Sequence, residues 1–408
     1  MFDIKSKPRV RGSTILGLAG ALLWLFAIAY PVVKHMGGDP RFLLRLGSMW
    51  EHPAVLKDVR FDGPTGYDGQ FYAALATDPF LLRPGAEHLF DAPAYRASRP
   101  GLPLAAWALG FGDDSRAILT YQLLCWTIGA LLIWAVARWL EDHGASPWWA
   151  ALLVFQGGIV SSMYSSLPDA AATALMVLAL WLHARGTFRP SLGIMAWACL
   201  VKETNLIAAA AAGLSEWRAG RRGRAVLSIT VPTGLVFAWR VWVLSRLGTG
   251  NARVTGNNFD VPFAWLPEKL TSALDIQEGV ALVGIALLLF AAGALSLALR
   301  PEDTAVVTLA GFALLAVFLN HFVYGPSWWN YTRVLMPLPA LAVLAGVRGP
   351  PWRCWLGGLA TLPWAVVGGL MLPRLALGFG AATLAVAVWD IKRHARPTVS
   401  SALPPPST

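Results

Sequence analysis

Residues 5–33 read KSKPRVRGSTILGLAGALLWLFAIAYPVV, a basic segment followed by an uncharged apolar run from residue 13 onward. A helix of about 20 apolar residues spans the roughly 30 Å hydrocarbon layer of a bilayer. A secretory signal has a shorter apolar core, of roughly 7–15 residues. We therefore expect an uncleaved membrane span here. A span at this position predicts that the whole protein belongs to the class of membrane proteins.

The rest of the chain has the same character. Of its 408 residues, 56% are hydrophobic and 14% are charged, whereas soluble domains carry about 25% charged residues. Apolar blocks recur along the chain, which predicts an all-α, polytopic transmembrane helical bundle. The predicted spans are residues 13–33, 117–139, 147–164, 169–184, 225–246, 279–299, 304–324, 331–347, 355–372 and 374–390.

Residues 190–217 are predicted to enter the membrane as two short or broken helices. The flanking sequences ARGTFRP and EWRAGRRGR are basic, and basic residues favour the cytoplasmic side. Residues 202–205 lie midway, where a turn would bring the chain back. Each half is too short for an ordinary crossing, and interrupted helices are tolerated where the backbone lines a cavity. With this pair, the chain has about twelve membrane segments and both termini in the cytoplasm.

This topology predicts one transmembrane domain over residues 1–390, with extracytoplasmic loops at 34–116 and 247–278. Residues 391–408 are rich in Pro and Ser and are expected to form a disordered cytoplasmic tail. The net charge of +10 could suggest nucleic-acid binding, but the basic residues cluster at the ends of spans, as the positive-inside rule explains. We therefore expect the lipid bilayer as the surroundings and no nucleic-acid partner.

The first outer loop has internal order. Residues 40–50, PRFLLRLGSMW, place apolar side chains near one side of a helix, which predicts a helix lying in the membrane interface. Residues 69–76, GQFYAALA, predict a second short helix that begins just after Asp68. Residues 99–111 are apolar but too short to span, so they are predicted to be re-entrant or interfacial. A loop of this length is uncommon without a function.

Asp68 is the first candidate for chemistry. A carboxylate at the start of a helix is kept ionised by backbone N–H groups, so Asp68 could act as a general base, as a cation ligand, or simply as the helix N-cap. Asp62, Asp78 and Asp91 precede Gly, Pro or Ala-Pro, a pattern typical of turns. Asp169 begins an apolar run, where it either caps that helix or supports the site as a polar group.

Cationic side chains supply the complementary candidates. Arg96 and Arg99 could clamp an anion or extend to lipid headgroups. Lys202 and Glu203 interrupt an apolar segment, and a charge at bilayer depth costs roughly 2.5–3.5 kcal/mol. We therefore expect Lys202 to contact a lipid phosphate unless it is an ordinary loop charge, and Arg333 is a further phosphate-contact candidate.

The order of these blocks resembles bacterial membrane proteins of the GT-C glycosyltransferase superfamily. The most specific block is GYDGQFYAALATDP, and weaker blocks follow in order along most of the chain. The most specific block occupies residues 66–79. The weaker blocks are DAPAYRASRPGLPLAAW at 91–107, SLPDAAATAL at 166–175, LVKETNL at 200–206 and YTRVLMPLPAL at 331–341.

The resemblance implies a GT-C-like fold in the bacterial cytoplasmic (inner) membrane. It also implies transfer of a sugar from a polyprenyl-phosphate carrier to a glycan, lipid or protein acceptor on the extracytoplasmic side. Enzymes of this superfamily place an acidic motif, often Asp-Glu, in the first outer loop. By position, Asp68 looks like the Asp of this motif, while Gly69 stands where the Glu is common. The resemblance therefore leaves open whether Asp68 binds a divalent cation.

In the mechanism that this resemblance suggests, Asp68 deprotonates the acceptor hydroxyl while Lys202 and Arg333 hold the carrier phosphate. Six further residues are candidates for substrate binding or for orienting the base: Gln70, Tyr72, Arg96, Arg99, Asp169 and Glu203.

Two other functions are compatible with the sequence. A transporter or flippase of lipid-linked glycans would use a similar charged cavity, but it is expected to have related halves with broken helices at matching positions. The chain has one interrupted pair and one dominant outer loop, which favours an enzyme. A non-catalytic protein of envelope assembly is the third possibility.

Overall fold

The computed structural model describes residues 12–248, 258–271, 275–298, 303–325, 327–347 and 350–371. Within these ranges the chain is all-α, without a β-strand beyond a single bridge between Phe259 and Leu319. The predicted class, a helical bundle, is confirmed at this level. In chain order the α-helices of the described ranges are α1 (Gly12–His35), α2 (Gly69–Thr77), α3 (Pro93–Ala97), α4 (Gly101–Leu109), α5 (Asp114–Asp142), α6 (Ala151–Val154), α7 (Gly157–Tyr164), α8 (Asp169–Ala184), α9 (Phe188–Val201), α10 (Leu206–Arg218), α11 (Arg222–Leu247), α12 (Leu266–Thr271), α13 (Ile276–Ala298), α14 (Thr304–Phe318), α15 (His321–Tyr324), α16 (Trp328–Val334), α17 (Pro337–Ala345) and α18 (Pro351–Met371).

Five of these helices are long and apolar enough to cross a membrane. They are α1, α5, α11, α13 and α18, and each overlaps a predicted span. Helices α8, α9 and α14 are apolar but shorter. This set is consistent with a multi-pass membrane protein. The predicted span 374–390 and the predicted tail 391–408 lie outside the described residues.

The predicted span 147–164 is wrong as one continuous helix. A 3-10 turn at Pro147–Ala150 leads into α6, and α7 follows after a break at Phe155 and Gln156. Gln156 has an extended backbone, and its side-chain oxygen accepts a hydrogen bond from the backbone N–H of Ile159 at 2.8 Å. This side chain caps a new helix, so the two helical segments do not merge.

Two further predicted spans are also divided. In 304–324, α14 ends at Phe318, and the side chain of Asn320 caps α15 by accepting from the N–H of Phe322 at 3.1 Å. In 331–347, α16 ends at Val334 and α17 begins with Pro337 at its first position. Proline has no N–H to continue the preceding helix, but its backbone angle suits a helix start.

The break predicted within 190–217 is confirmed, and the two short helices on either side of it are α9 and α10. Lys202 has an extended backbone that ends α9, and a 3-10 turn at Glu203–Asn205 precedes α10. The buried side-chain amide of Asn205 donates to the carbonyls of Ala172 and Ala198 at 3.1 and 3.0 Å. These bonds tie the interruption to α8 and α9.

The outer loop differs from its prediction at its beginning. The helix predicted over 40–50 is limited to a 3-10 turn at Pro40–Leu44, which ends where Arg45 adopts φ 57°. Leu44 and Leu46 are fully buried in the protein, so this segment does not present an apolar face outward. In contrast, the predicted helix after Asp68 is confirmed as α2, and α4 lies within the predicted 99–111 segment.

Helix α5 packs against α1, α4, α8 and α2. The connections between these helices lie at the two ends of the bundle. At one end, Glu141 accepts hydrogen bonds from the N–H and Oγ of Ser13, both at 2.8 Å. At that same end, Trp181 near the close of α8 donates to Asp142 at 2.9 Å. Asp169 begins α8 and therefore lies at the opposite end, near the outer loop.

The packing of α7 on α16 gives a stability prediction. A Cβ at Gly158 would lie 2.2 Å from the carbonyl oxygen of Thr332, whereas a Cβ at Gly193 in α9 meets nothing within 4 Å. We expect Gly158→Ala to destabilise the protein by about 1–3 kcal/mol, because backbone must move. Gly193→Ala, the matched control, should be neutral or stabilising by up to about 1 kcal/mol. Thermal unfolding in detergent micelles measures both, and equal midpoints for the two variants would contradict this packing.

Candidate functional site

A cavity of about 190 Å³ lies at the outer-loop end of the bundle. It forms where the start of α2, the start of α8, the break between α9 and α10, and the helix α16 meet. Most of the predicted site residues border it, although they come from distant parts of the chain. These residues are Asp68, Tyr72, Arg99, Asp169, Lys202, Glu203 and Arg333.

Asp68 is clamped between two arginines. Its Oδ1 lies 2.8 Å from Nη2 of Arg96, and its Oδ2 lies 3.0 Å from Nη1 of Arg333. Although Asp68 directly precedes α2, its carboxylate accepts no capping bond from the helix. The prediction that backbone N–H groups keep Asp68 ionised is therefore wrong. The guanidinium groups of Arg96 and Arg333 supply the positive charge beside the carboxylate.

This arrangement keeps Asp68 ionised. Burial by itself raises the pKa of the Asp68 carboxyl, but the charges and hydrogen bonds of Arg96 and Arg333 outweigh it and hold the pKa well below 3.8. A base works best when its pKa lies near the working pH. Asp68 can therefore act as a strong base only when a ligand draws at least one of these arginines away.

The clamp belongs to a longer series of charges of alternating sign, which we call the charge chain. Arg96 also contacts Asp91 at 2.7 Å, and Lys202 contacts Asp169 at 2.6 Å. Nε of Arg333 lies 3.8 Å from Asp169 and so links the two halves. The charge chain consists of Asp91, Arg96, Asp68, Arg333, Asp169 and Lys202.

Arg99 organises a second network on the cavity wall. Its guanidinium binds both oxygens of Glu203, at 2.6 and 2.8 Å. It also donates to the hydroxyl groups of Tyr72 at 3.0 Å and of Tyr95 at 2.8 Å. Bidentate pairs of this kind fix geometry as well as charge, so Arg99 joins the outer loop to the α9–α10 break.

Two predicted residues do not border the cavity. The buried side chain of Gln70 is used inside the loop, where it accepts from the N–H of Gly47 at 2.7 Å and donates to the carbonyl of Thr65 at 2.9 Å. Gln70 therefore stabilises the outer loop and does not contact the cavity. Arg96 is also outside the cavity lining, but it acts on the site through Asp68.

Three residues of the site had no assigned role in the sequence prediction. Tyr95 borders the cavity, and a signal existed, because it lies one helical turn before Arg99. Tyr67 donates through its hydroxyl to Asn330 at 2.8 Å, and its ring faces the guanidinium of Arg333 at 5.4 Å. Asn330 offered no local signal, since only the fold brings it to the outer loop.

Gly69 has no room for a side chain of any kind, and therefore none for an acid. A Cβ at Gly69 would lie 2.1 Å from the carbonyl oxygen of Ser165. Among the described residues, no group of three or more His, Cys, Asp or Glu side chains comes together. The carboxylates of Asp68 and Asp169 are also turned to cationic side chains. These residues do not fit a divalent cation.

Another part of the cavity wall is apolar. It is formed by Leu315 and Leu319 at the end of α14 and by Phe322 and Val323 in α15. The side chain of Phe322 is 58% exposed, so this wall continues to the surface of the molecule. A ligand with a charged head and an apolar chain would match the two walls.

Two buried polar atoms of cavity-lining residues have no hydrogen-bond partner within the described part of the chain. They are Nε of Arg333 and Oγ1 of Thr204. Buried polar groups are nearly always hydrogen-bonded in folded proteins. Both atoms can donate to an oxygen, so they suit a ligand that is rich in acceptor oxygens.

The charge chain predicts how stability depends on pH. Because the folded-state pKa of Asp68 lies below its value in the unfolded chain, ionised Asp68 stabilises the fold above about pH 4, and the contribution is lost as the pH falls further. We expect Asp68→Asn to lower the thermal midpoint at pH 7, since it leaves Arg96 and Arg333, whose side chains are only 10% and 13% exposed, less well paired. The difference from wild type should shrink below about pH 4, and a difference that is the same at every pH would contradict the clamp.

A comparison of the chain with models of known families, with curated proteins and with solved structures finds no significant match.

Proposed function

We propose that this protein is a membrane glycosyltransferase that moves a sugar from a polyprenyl-phosphate carrier to an acceptor hydroxyl at the cavity. The observation that supports it most is the pairing of a charged wall, built around Asp68, with an apolar wall that reaches the surface. A carrier has the same two parts, a phosphate and a hydrocarbon chain. The acceptor is a glycan, lipid or protein hydroxyl.

The residues suit the transfer step. The acceptor oxygen forms a bond to the anomeric carbon of the sugar, and the bond from that carbon to the phosphate oxygen breaks. The acceptor proton goes to Asp68, and the electron pair leaves with the carrier phosphate. Lys202 and Arg333 would stabilise that phosphate, because donors aimed at developing charge lower the barrier.

The clamp gives this mechanism an order of events. The charge chain contains three carboxylates and three cationic side chains, so no positive charge is in excess before a ligand binds. A phosphate that binds Arg333 competes with Asp68 for the same guanidinium. Since Arg333 holds down the pKa of Asp68, this competition would make Asp68 a better base only once the donor is bound.

The membrane arrangement forms part of the same proposal. We propose about twelve membrane segments in the bacterial cytoplasmic membrane, with both termini in the cytoplasm and residues 34–116 on the extracytoplasmic side. The basic segments 185–189 and 218–224 lie at the end of the bundle away from the cavity. The positive-inside rule supports the cytoplasm for that end, which leaves the cavity at the outer face.

Sugar transfer in proteoliposomes tests this function directly. With a panel of polyprenyl-phosphate sugars, we expect wild type to transfer at least one sugar, and Asp68→Asn to lower its rate by about 100-fold or more, because general-base catalysis contributes roughly 10²–10⁴-fold. Asp58→Asn is the matched control. Asp58 lies in the same loop, pairs with Arg41 at 2.7 Å and has a side chain that is 67% exposed.

The control should retain the wild-type rate. If folded Asp68→Asn protein transferred sugar as fast as wild type, or if both variants lost the same activity, Asp68 would not be the base. The readout is the amount of labelled acceptor formed per protein.

A transporter or flippase of lipid-linked glycans is the second candidate. The break between α9 and α10, with buried Lys202 at its centre, is a feature that transporters also use at substrate sites. The same proteoliposomes distinguish the two functions. Movement of an intact lipid-linked glycan across the bilayer, without formation of a new glycosidic bond, would favour transport. A folded protein with neither activity would favour the non-catalytic role in envelope assembly.

A further inference from the structure

The end of the bundle away from the cavity carries a concentrated positive charge that the proposed reaction does not use. Six arginines are exposed in the connection between α8 and α9 and around the connection between α10 and α11. We call this group the arginine face; it consists of Arg185, Arg189, Arg218, Arg221, Arg222 and Arg224.

Contacts between the two connections bring them onto one surface. The guanidinium of Arg224, at the start of α11, lies 5.2 Å from the ring centroid of Phe188, at the start of α9. Nδ1 of His183, at the end of α8, lies 3.8 Å from the carboxylate of Glu216, in α10. The arginines therefore form one patch, although up to 39 residues separate them in the chain.

Aromatic rings hold several of these guanidinium groups in place. Arg185 lies over the ring of Trp181 at 4.9 Å, and Arg222 lies over the ring of Trp217 at 5.6 Å. Trp217 is itself 56% exposed. A guanidinium stacked on a ring keeps its N–H groups free to point outward, so the patch combines apolar rings with fixed donors.

Few acids neutralise this patch. Within residues 185–189 and 214–224 the only acidic residue is Glu216, which is buried and bonded to Arg221. Asp142 lies 3.9 Å from Arg185 but also pairs with Arg138. Within the described residues, Arg189, Arg222 and Arg224 make no ion pair with a carboxylate. The surface therefore has positive charge in excess.

The position of the arginine face argues for lipid as its partner. Arg222 and Arg224 begin α11, a membrane-span candidate with only 17% of its 18-residue apolar window buried inside the protein, so much of this helix is open to contact with a bilayer. The start of such a helix lies at the level of the headgroups. The 16-residue helix α8 separates the arginine face from the cavity by about 24 Å, which approaches the thickness of the hydrocarbon layer.

We propose that the arginine face is a binding surface for anionic phospholipid headgroups. Phosphates would lie between Arg222, Arg224 and Arg189, and the rings of Trp217 and Phe188 would contact the glycerol and the first carbons of the acyl chains. Arginine donors in a fixed arrangement suit phosphate oxygens, and aromatic rings favour the headgroup level. This surface is separate from the proposed transfer site, so it does not depend on that activity.

Short-chain lipids that differ only in their headgroup test this surface. Full-length protein in a nonionic detergent is titrated with phosphatidylglycerol or with phosphatidylcholine of the same chain length, and its thermal midpoint is measured. We expect phosphatidylglycerol to raise the midpoint at lower concentrations than phosphatidylcholine. In Arg222→Gln/Arg224→Gln, the half-saturating concentration of phosphatidylglycerol should rise about 30-fold, as expected for the loss of two arginines near an anionic surface.

The matched control is Arg60→Gln/Arg116→Gln, which removes the same charge from two exposed arginines of the outer loop and the start of α5. Its response should stay within about twofold of wild type. A second pair, Arg222→Lys/Arg224→Lys, keeps the charge and should retain most of the response, which guards against a folding defect in the glutamine variant.

Three results would overturn the proposal. The first is an equal response to both headgroups, and the second is an equal weakening in the test and control variants. The third is stabilisation by a soluble anionic oligonucleotide in place of phosphatidylglycerol, which would assign the surface to nucleic acid.

Discussion

The structure depends on the constraint that a charge buried inside a protein must have a partner. Removing one member of a buried ion pair lowers the stability of the fold by about 3–5 kcal/mol, because the remaining charge is buried without a compensating partner. The charge chain meets this constraint with groups from the outer loop, α8, the α9–α10 break and α16. The fold of each of these segments therefore depends on the others, and the cavity forms where they meet.

The same constraint shapes the chemistry that the cavity can support. Every cation of the charge chain already has an acidic partner, so an anionic ligand has to compete for a guanidinium or use a donor that makes no hydrogen bond. Nε of Arg333 is such a donor among the described residues. A site of this kind favours a ligand that brings its own negative charge, and it links the basicity of Asp68 to the presence of that ligand.

Arginine has different roles at the two ends of the bundle. Near the cavity, Arg96, Arg99 and Arg333 are paired with carboxylates, and only 10–13% of each of these arginine side chains is exposed. At the other end, Arg222 and Arg224 are exposed and rest on aromatic rings. Burial forces the first group to find acids within the protein, whereas exposure leaves the second group able to meet charges from outside it.

Much of this organisation follows from the sequence alone. The all-helical class, the long apolar helices, the break at Lys202 and the helix after Asp68 were predictable, because apolar length, isolated charges and turn residues act locally. Only the tertiary structure decided three features of the site. It pairs Arg333 with Asp68, it brings Asn330 to the cavity, and it uses Gln70 inside the outer loop and not at the cavity. Arg333 and Asp68 lie 265 residues apart in the chain, and no local pattern encodes which of several buried charges will meet. Packing decides that, since each charge takes the partner that the fold brings within reach.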